Sequence, residues 1–212
     1  MKNRIIISCL VLIFSNILLY SQTKVEISET EKKHLSERVL QKVEEFTKSL
    51  SNMVNESLSK EVRTHHQQNI LGLTMAKGEP YDIIIDDQKH HSTGVKMVTS
   101  SVNRSVTKSQ LLKKYLTRLY NPITGKPGMN YHSITIETAD HVQVENIQRE
   151  GDHYVCNAIF YQYFRGKRGD GTSYIDYTAK RIKCYIIPTE LPDGKGFDVK
   201  LADISVIETR RI

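Results

Sequence analysis

Four residues near a predicted hairpin have the chemistry of a small-molecule site: Gln162, Phe164, Asp176 and Thr178. They lie on two segments that flank the turn sequence Gly169-Asp170-Gly171. With the turn centred on its aspartate, Gln162 faces Thr178, and all four side chains share one face of the sheet. Amide, carboxylate and hydroxyl groups beside an aromatic ring can orient a ligand that apolar walls bury. The pattern predicts a binding site, although solvated polar groups at the end of a strand are the simpler interpretation.

Catalysis has weaker support. Asp176 with a neighbouring tyrosine or Gln162 would supply a carboxylate base and a hydrogen-bond donor for proton transfer on a small hydrophobic substrate. Segment 166–171 lacks the Gly-Lys-Ser or Gly-Lys-Thr ending of a phosphate-binding loop, and the chain has no Gly-x-Ser-x-Gly nucleophile motif. We therefore expect a non-catalytic protein that binds a small molecule, a peptide or a protein partner. An acid/base enzyme of the cell envelope is the alternative.

Four tyrosines mark the opposite face of the same two segments: Tyr161, Tyr163, Tyr177 and Tyr185. Tyrosine supplies a large contact area and one hydrogen-bonding group at little cost in side-chain entropy. This face therefore has the composition of an interface with a partner protein or with a second copy in a homodimer. Cross-strand packing within one chain is an equally good interpretation.

Cys156 and Cys184 are the only cysteines outside the first 22 residues. The register that pairs Gln162 with Thr178 also places these two residues opposite each other, on the same face and within contact range. Directly opposed strand residues have Cα atoms about 4.5 or 5.5 Å apart, but a disulfide also needs a dihedral angle near about 90°. A disulfide and a pair of packed thiols are both open at this point.

The paired histidines, His65-His66 and His90-His91, do not have the spacing of a metal site. Adjacent residues on a helix point in different directions. No cysteine or carboxylate completes a recognisable set of ligands around them. We expect neither a metal nor a cofactor.

The first 22 residues have the pattern of a secretory signal peptide. Lys2 and Arg4 precede an uncharged, mostly apolar run from residue 5 to residue 20, which ends at Ser21-Gln22. The run is shorter than the roughly 20 apolar residues that span a bilayer comfortably. We expect cleavage near residue 22, a periplasmic or secreted location, and no membrane insertion after cleavage. An uncleaved N-terminal anchor is the alternative.

Composition narrows the class of protein further. The formal net charge of +6 includes Lys2 and Arg4, so residues 23–212 are only mildly basic, with charges of both signs interspersed. Such a distribution favours solubility and does not select an acidic partner. We expect no nucleic-acid partner. The length of this part fits a single domain with one core.

Apolar spacing predicts two helices at the start of residues 23–212. Ser28 and Glu31 have the spacing of a capping box. Apolar residues then recur every three or four positions as far as Val54, which is typical of a helix with one buried face. A second helix is predicted from about residue 60 to residue 76, where Gly78 and Pro80 stop it.

A short hairpin is predicted before a third helix. Two extended segments, 82–86 and 94–101, are joined by a polar loop at 88–93. The third helix is expected to end before Pro122. Its predicted apolar stripe consists of Leu111, Leu112, Tyr115, Leu116 and Leu119.

From residue 130 onward the apolar period changes to two, which predicts four long antiparallel strands. A shift of apolar phase in the last strand predicts a β-bulge near Ala202 or Asp203. Helices followed by such strands define an α+β fold, with the N-terminal helices packed on a strongly curved sheet. The predicted strands span about 131–147, 154–164, 173–187 and 197–208.

This order of elements resembles the NTF2-like family, also called the cystatin-like α+β cone. The resemblance covers nearly all of residues 23–212 and includes the strand sequences at 154–164, 174–178 and 197–204. It implies helices packed into a concave sheet around a pocket, which different members use for catalysis, for ligand or partner binding, or for dimerisation. A shared fold does not by itself select among these functions.

The signal peptide predicts the mass of the mature protein. Protein recovered from the periplasm or the exterior of the producing cell should begin near Gln22 or Thr23, because the leader becomes polar there. Intact-mass spectrometry identifies the first residue of the mature protein. Retention of Met1 on membrane-bound protein would instead identify an anchor.

Overall fold

The computed structural model describes residues 27–85, 88–102, 106–127, 131–191 and 194–211. The predicted signal peptide, residues 1–22, lies outside them. Three α-helices lie in these ranges: α1 (Glu29–Val54), α2 (Lys60–Gly72) and α3 (Leu112–Leu119). The strands in the same ranges are β1 (Tyr81–Ile85), β2 (Gln88–Ser92), β3 (Lys96–Thr99), β4 (Lys108–Leu111), β5 (Tyr131–Glu150), β6 (His153–Arg168), β7 (Ser173–Leu191) and β8 (Gly194–Arg211).

The strands form two sheets. A six-stranded sheet has the order β4-β3-β8-β7-β6-β5, and β1 and β2 form a separate two-stranded sheet. Every pairing is antiparallel except that of β3 with β8. The larger sheet is open, because β4 and β5 lie at its two edges. The predicted α+β class is confirmed, and β3 and β4 extend the main sheet beyond the four strands that were predicted.

Helix α1 begins and packs as its sequence predicts. The Ser28 hydroxyl accepts a hydrogen bond from the backbone N–H of Glu31 at 3.2 Å, which satisfies one of the free donors of the first turn. The Glu31 carboxylate accepts a hydrogen bond from the Tyr154 hydroxyl at 2.6 Å and so joins the helix to β6. The predicted apolar face is buried, and it consists of Leu35, Val39, Val43, Phe46, Leu50, Met53 and Val54.

Helix α2 ends earlier than predicted, at Gly72. The sequence predicted helix as far as residue 76, but the Leu73 carbonyl accepts a hydrogen bond from the backbone N–H of Leu201 at 3.0 Å. This bond draws the chain toward β8, and a short 3₁₀ segment, Met75–Gly78, follows. A tertiary backbone contact therefore overrides the local helical preference.

A short hairpin does precede α3, but the predicted position of its second strand is wrong. The expected loop at 88–93 contains strand β2, which pairs with β1, whereas β3 pairs with β4 and β8. Strand β2 is exposed along most of its length, so it has no apolar alternation for the sequence to show. Leu111 also lies at the end of β4 and is exposed, so it does not belong to the apolar stripe of α3.

The register of β6 on β7 is confirmed. Cys156 pairs with Cys184 and Gln162 pairs with Thr178, as a turn centred on Asp170 requires. Within that turn the Asp170 carboxylate accepts a hydrogen bond from the backbone N–H of Thr172 at 2.8 Å. The turn therefore determines which side chains of β6 and β7 share a face of the sheet.

The predicted bulge in β8 is confirmed and has a structural role. Ile182 pairs with Ile204 and Cys184 pairs with Leu201, so β8 has one extra residue between these pairs. The Asp203 side chain at this bulge accepts a hydrogen bond from the backbone N–H of Lys96 at 2.8 Å. It holds β3 against β8, where the parallel pairing is limited to Met97 with Ile204.

The core lies between α1, α3 and the covered face of the main sheet. Phe46 of α1 and Phe160 of β6 are fully buried and meet edge to face, with ring centroids 6.4 Å apart. Among the described helices, none is both long and apolar enough to cross a membrane.

The aromatic pair gives a prediction for stability. Phe160→Ala should lower the free energy of unfolding by about 3–5 kcal/mol, because it removes a buried ring and leaves a cavity. Urea unfolding of the purified protein measures the loss. Ile84→Ala is the control, since Ile84 is 63% exposed and its loss should have little effect. A cost for Phe160→Ala no larger than that of the control would contradict the packing.

Candidate functional site

A cavity of about 330 Å³ lies beside the core, on the covered face of β6 and β7. Side chains of β5, β6, β7 and α3 line it, together with residues of β4 and residues at the end of β3. Its size is within the range of pockets that hold small organic molecules. Because the same face carries the core, the cavity borders the interior of the protein, and it opens to solvent where the exposed Lys108 and Arg168 line it.

The four predicted binding residues all line this cavity. Gln162, Asp176 and Thr178 are buried, and Phe164 is half-buried. In the register of the strands Gln162 lies opposite Thr178, and Phe164 lies opposite Asp176. The Asp176 carboxylate accepts a hydrogen bond from the backbone N–H of Val102 at 3.3 Å. The structure thus brings the four side chains together, while their role in binding stays a prediction.

Lys180 is the most unusual residue of the cavity wall. It is 4% exposed and lies on β7 opposite Phe160. Its ammonium group contacts the Met97 sulfur at 3.9 Å and lies 5.8 Å from the centre of the Tyr115 ring. Among the described residues it forms no ion pair with a carboxylate. Burial lowers the pKa of Lys180 from 10.5 to about 8, so the group is still mostly cationic at neutral pH.

Gln162 adds an unsatisfied polar atom to the cavity wall. Its side-chain oxygen is buried and has no hydrogen-bond donor. Such an oxygen costs free energy unless a donor reaches it. Burial raises the pKa of Tyr115, and a hydrogen bond with the Gln162 side chain opposes this rise more weakly. The Tyr115 hydroxyl is therefore protonated at neutral pH.

The lining has an excess of positive charge. Lys108, Arg118 and Arg168 join Lys180 as cations, and Asp176 is the one acidic residue among the described lining residues. The Arg118 guanidinium donates to the Gln110 side-chain oxygen at 3.1 Å, and both residues line the cavity. The cavity consequently favours a ligand with negative charge.

Aromatic rings form the end of the cavity near the β6–β7 turn. Phe164 and Tyr174 stack with ring centroids 5.8 Å apart, and Tyr131 meets both rings at the same distance. Gly166 makes this arrangement possible, because a Cβ atom there would lie 2.8 Å from the Tyr131 ring. These rings form an aromatic wall, in which Tyr131 is inclined to the stacked pair of Phe164 and Tyr174.

Sequence reasoning missed Lys180, although a signal for it was present. The lysine shares the strand alternation of Thr178, Ile182 and Cys184, so the confirmed register already places it on the covered face. A lysine in that position is rarely fully buried without a partner. The contributions of β3 and β4 could not be found, because the predicted hairpin paired the wrong segments.

The four tyrosines predicted for the opposite face differ in their exposure. Tyr161, Tyr163 and Tyr177 are half-buried and in contact, with Tyr177 5.6 Å from Tyr161 and 4.9 Å from Tyr163 between ring centroids. Tyr185 is only 4% exposed and packs beside His153, under the Lys183 ammonium group. The folded chain therefore already covers Tyr185, which offers little surface to a partner, and its role in an interface stays a prediction.

Cys156 and Cys184 are buried, directly opposed and present as free thiols. The predicted proximity on one face is confirmed, and no disulfide joins the two residues. A hydrogen bond with the Cys156 thiol and burial both raise the pKa of Cys184. The pair therefore packs as small apolar side chains.

Within the described ranges, no group of three or more His, Cys, Asp or Glu side chains could hold a metal ion. His91 instead contacts the Asp82 carboxylate at 2.8 Å on the exposed β1–β2 sheet.

Comparison of the chain with protein-family models finds no match, and neither does comparison with curated proteins or with solved structures.

The buried lysine predicts how stability depends on pH. Its pKa is lower in the folded state than in the unfolded chain, so the unfolded state holds this proton more tightly between about pH 8 and 10.5. The contribution of Lys180 to the free energy of unfolding therefore rises with pH in that window. Lys180→Met should stabilise the protein at neutral pH by up to about 3 kcal/mol, since each unit of pKa shift is worth about 1.4 kcal/mol.

Urea unfolding of both proteins across this pH window tests the prediction. The difference between them should shrink as the pH rises. Lys183→Met is the matched control, because Lys183 lies on the opposite face of β7 and should show no such pH-dependent gain. A Lys180→Met protein that is less stable than the wild type at neutral pH would contradict the cost assigned to this cation.

Proposed function

We propose that this chain is an exported, non-catalytic, NTF2-like protein that binds a small molecule in the cavity of its main sheet. One observation carries the proposal: the cavity wall holds a buried Lys180 ammonium group whose hydrogen-bond acceptor is the weakly accepting Met97 sulfur, and a buried Gln162 oxygen that has no donor. Buried polar groups are normally hydrogen-bonded. A ligand that supplies the missing partners offsets their cost.

The proposal extends to the fold and the location. Residues 23–212 form one NTF2-like domain, in which four long strands make a strongly curved sheet around the helices. The leader at residues 1–22 directs the protein to the periplasm or the exterior. The element order, the helices on one face of an antiparallel sheet and the cavity between them support this assignment.

The tyrosine face supports a role in assembly with a partner protein or a second copy. Tyr161, Tyr163 and Tyr177 form a half-buried aromatic cluster on the face of β6 and β7 opposite to the cavity. Such a cluster suits an envelope protein partner or the interface of a homodimer. Binding of a ligand and of a partner would then use different faces of the same two strands.

An envelope enzyme is the second candidate, and Lys180 is the observation that favours it. An amine with a pKa of about 8 has an unprotonated fraction near neutral pH that can act as a base. Asp176 would be the carboxylate partner in acid/base chemistry on a small hydrophobic substrate. Its bond from Val102 shows that one of its oxygens is already occupied.

Ligand binding should be detectable as thermal stabilisation. In a panel of small soluble organic compounds, a binder present at about 100 times its Kd adds about 2.7 kcal/mol of stability, which raises Tm by roughly 5–10 °C in a protein of this size. Ser100→Trp should abolish the response, because Ser100 lines the cavity and indole would fill it. Differential scanning fluorimetry measures both.

Ser109→Trp is the matched control. Ser109 lies on β4 between the lining residues Lys108 and Gln110, but it is exposed and does not line the cavity, so this variant should respond as the wild type does. Binders that stabilise both tryptophan variants equally would place the site elsewhere and overturn the proposal. Chemical conversion of a bound compound, followed by mass spectrometry, would favour the enzyme.

A further inference from the structure

We infer that the cavity takes a small aromatic carboxylate that also carries a hydroxyl or amino donor. This inference rests on the proposed binding function and adds the chemical class of the ligand. It follows from what the cavity wall offers at three positions along β6 and β7: a cation, an acceptor and a set of rings.

The cation is Lys180, which requires an anion inside the cavity. Removing an ammonium group from water is costly unless a counterion pairs with it. Asp176 does not fill this role, because it lies four residues along the same strand, about 13 Å away in Cα position at the usual rise. A ligand carboxylate would pair with Lys180, and Arg118 on α3 adds a second positive charge to the same lining.

The acceptor is the Gln162 side-chain oxygen, which is buried and unpartnered. Gln162 lies opposite Thr178, so it is a diagonal neighbour of Lys180 at about 7–8 Å between Cα atoms. One small molecule can therefore reach both groups. The group that it presents to Gln162 must be a donor, such as a hydroxyl or an amine.

The rings are Phe164, Tyr174 and Tyr131, which close the cavity on the side of the turn. A ligand ring that packs against this wall buries its apolar faces, and offset or edge contacts between rings add to that gain. A purely aliphatic acid or an inorganic anion has no ring to pack against this wall. An aromatic carboxylate uses all three positions.

A charge series on one ring tests the inference. Isothermal titration calorimetry at neutral pH compares para-hydroxybenzoate with the neutral para-hydroxybenzamide and the cationic para-hydroxybenzylamine. The carboxylate should bind best. Benzoate, which lacks the hydroxyl donor, should bind several-fold more weakly than para-hydroxybenzoate, because the Gln162 oxygen is then left unpaired.

Two lysine variants test whether Lys180 is the cation that pairs with the ligand carboxylate. Lys180→Met should weaken para-hydroxybenzoate binding by about 10- to 100-fold, the usual effect of losing a charge-assisted hydrogen bond. Lys183→Met keeps Lys180 and changes a lysine on the opposite face of the same strand, so it should bind as the wild type does. Circular dichroism of both variants verifies that each is folded.

The outcomes separate this inference from the proposed function. Binding of the amide or the amine as tightly as the carboxylate, or equal binding by Lys180→Met, overturns the ligand class but leaves a working pocket. Failure of all four compounds at millimolar concentration also overturns the ligand class. In that case the thermal response of the compound panel, and its loss in Ser100→Trp, still decides the proposed function.

Discussion

The pairing of β6 with β7 determines which side chains reach the interior of this protein. One continuous register runs from the Tyr154–Ile186 pair to the Lys167–Ser173 pair. Because side chains alternate between faces, a slip of β7 by one residue against β6 would turn Lys180 outward and bring Tyr177 to the covered face, while Gln162 stayed inside. The cavity therefore depends on the short turn at 169–171 as well as on the residues that line it.

The core and the cavity wall use the same alternation of side chains along β6 and β7, but the cavity wall is more polar. Along β6 the covered face is apolar at Cys156 and Phe160 and becomes polar at Gln162. Along β7 the change falls at Lys180, next to the buried Ile182. A cation at this boundary lowers stability at neutral pH, and ligand sites commonly accept such a cost in exchange for binding.

Local patterns predicted much of the fold, and tertiary packing explains the remainder. The buried face of α1, the register of β6 on β7 and the bulge in β8 each depend on periodicity or turn chemistry, which the sequence contains. Strand β2 could not be found, because its residues face solvent and carry no alternation. The burial of Tyr185 and the empty volume beside Asp176 depend on how distant segments pack, so periodicity does not encode them.

The attachment of β3 at the bulge has a consequence for how the protein opens. Strands β3 and β4 contribute one wall of the cavity, yet they join the main sheet through a single parallel residue pair and the bond from Lys96 to Asp203. Strands β6 and β7 pair without interruption from Tyr154 with Ile186 to Lys167 with Ser173. A sub-global opening that releases β3 and β4 therefore costs less free energy than unfolding of the central strands. Slow exchange of amide hydrogens would then be concentrated in β6 and β7, and a molecule could enter or leave the cavity while these central strands stay paired.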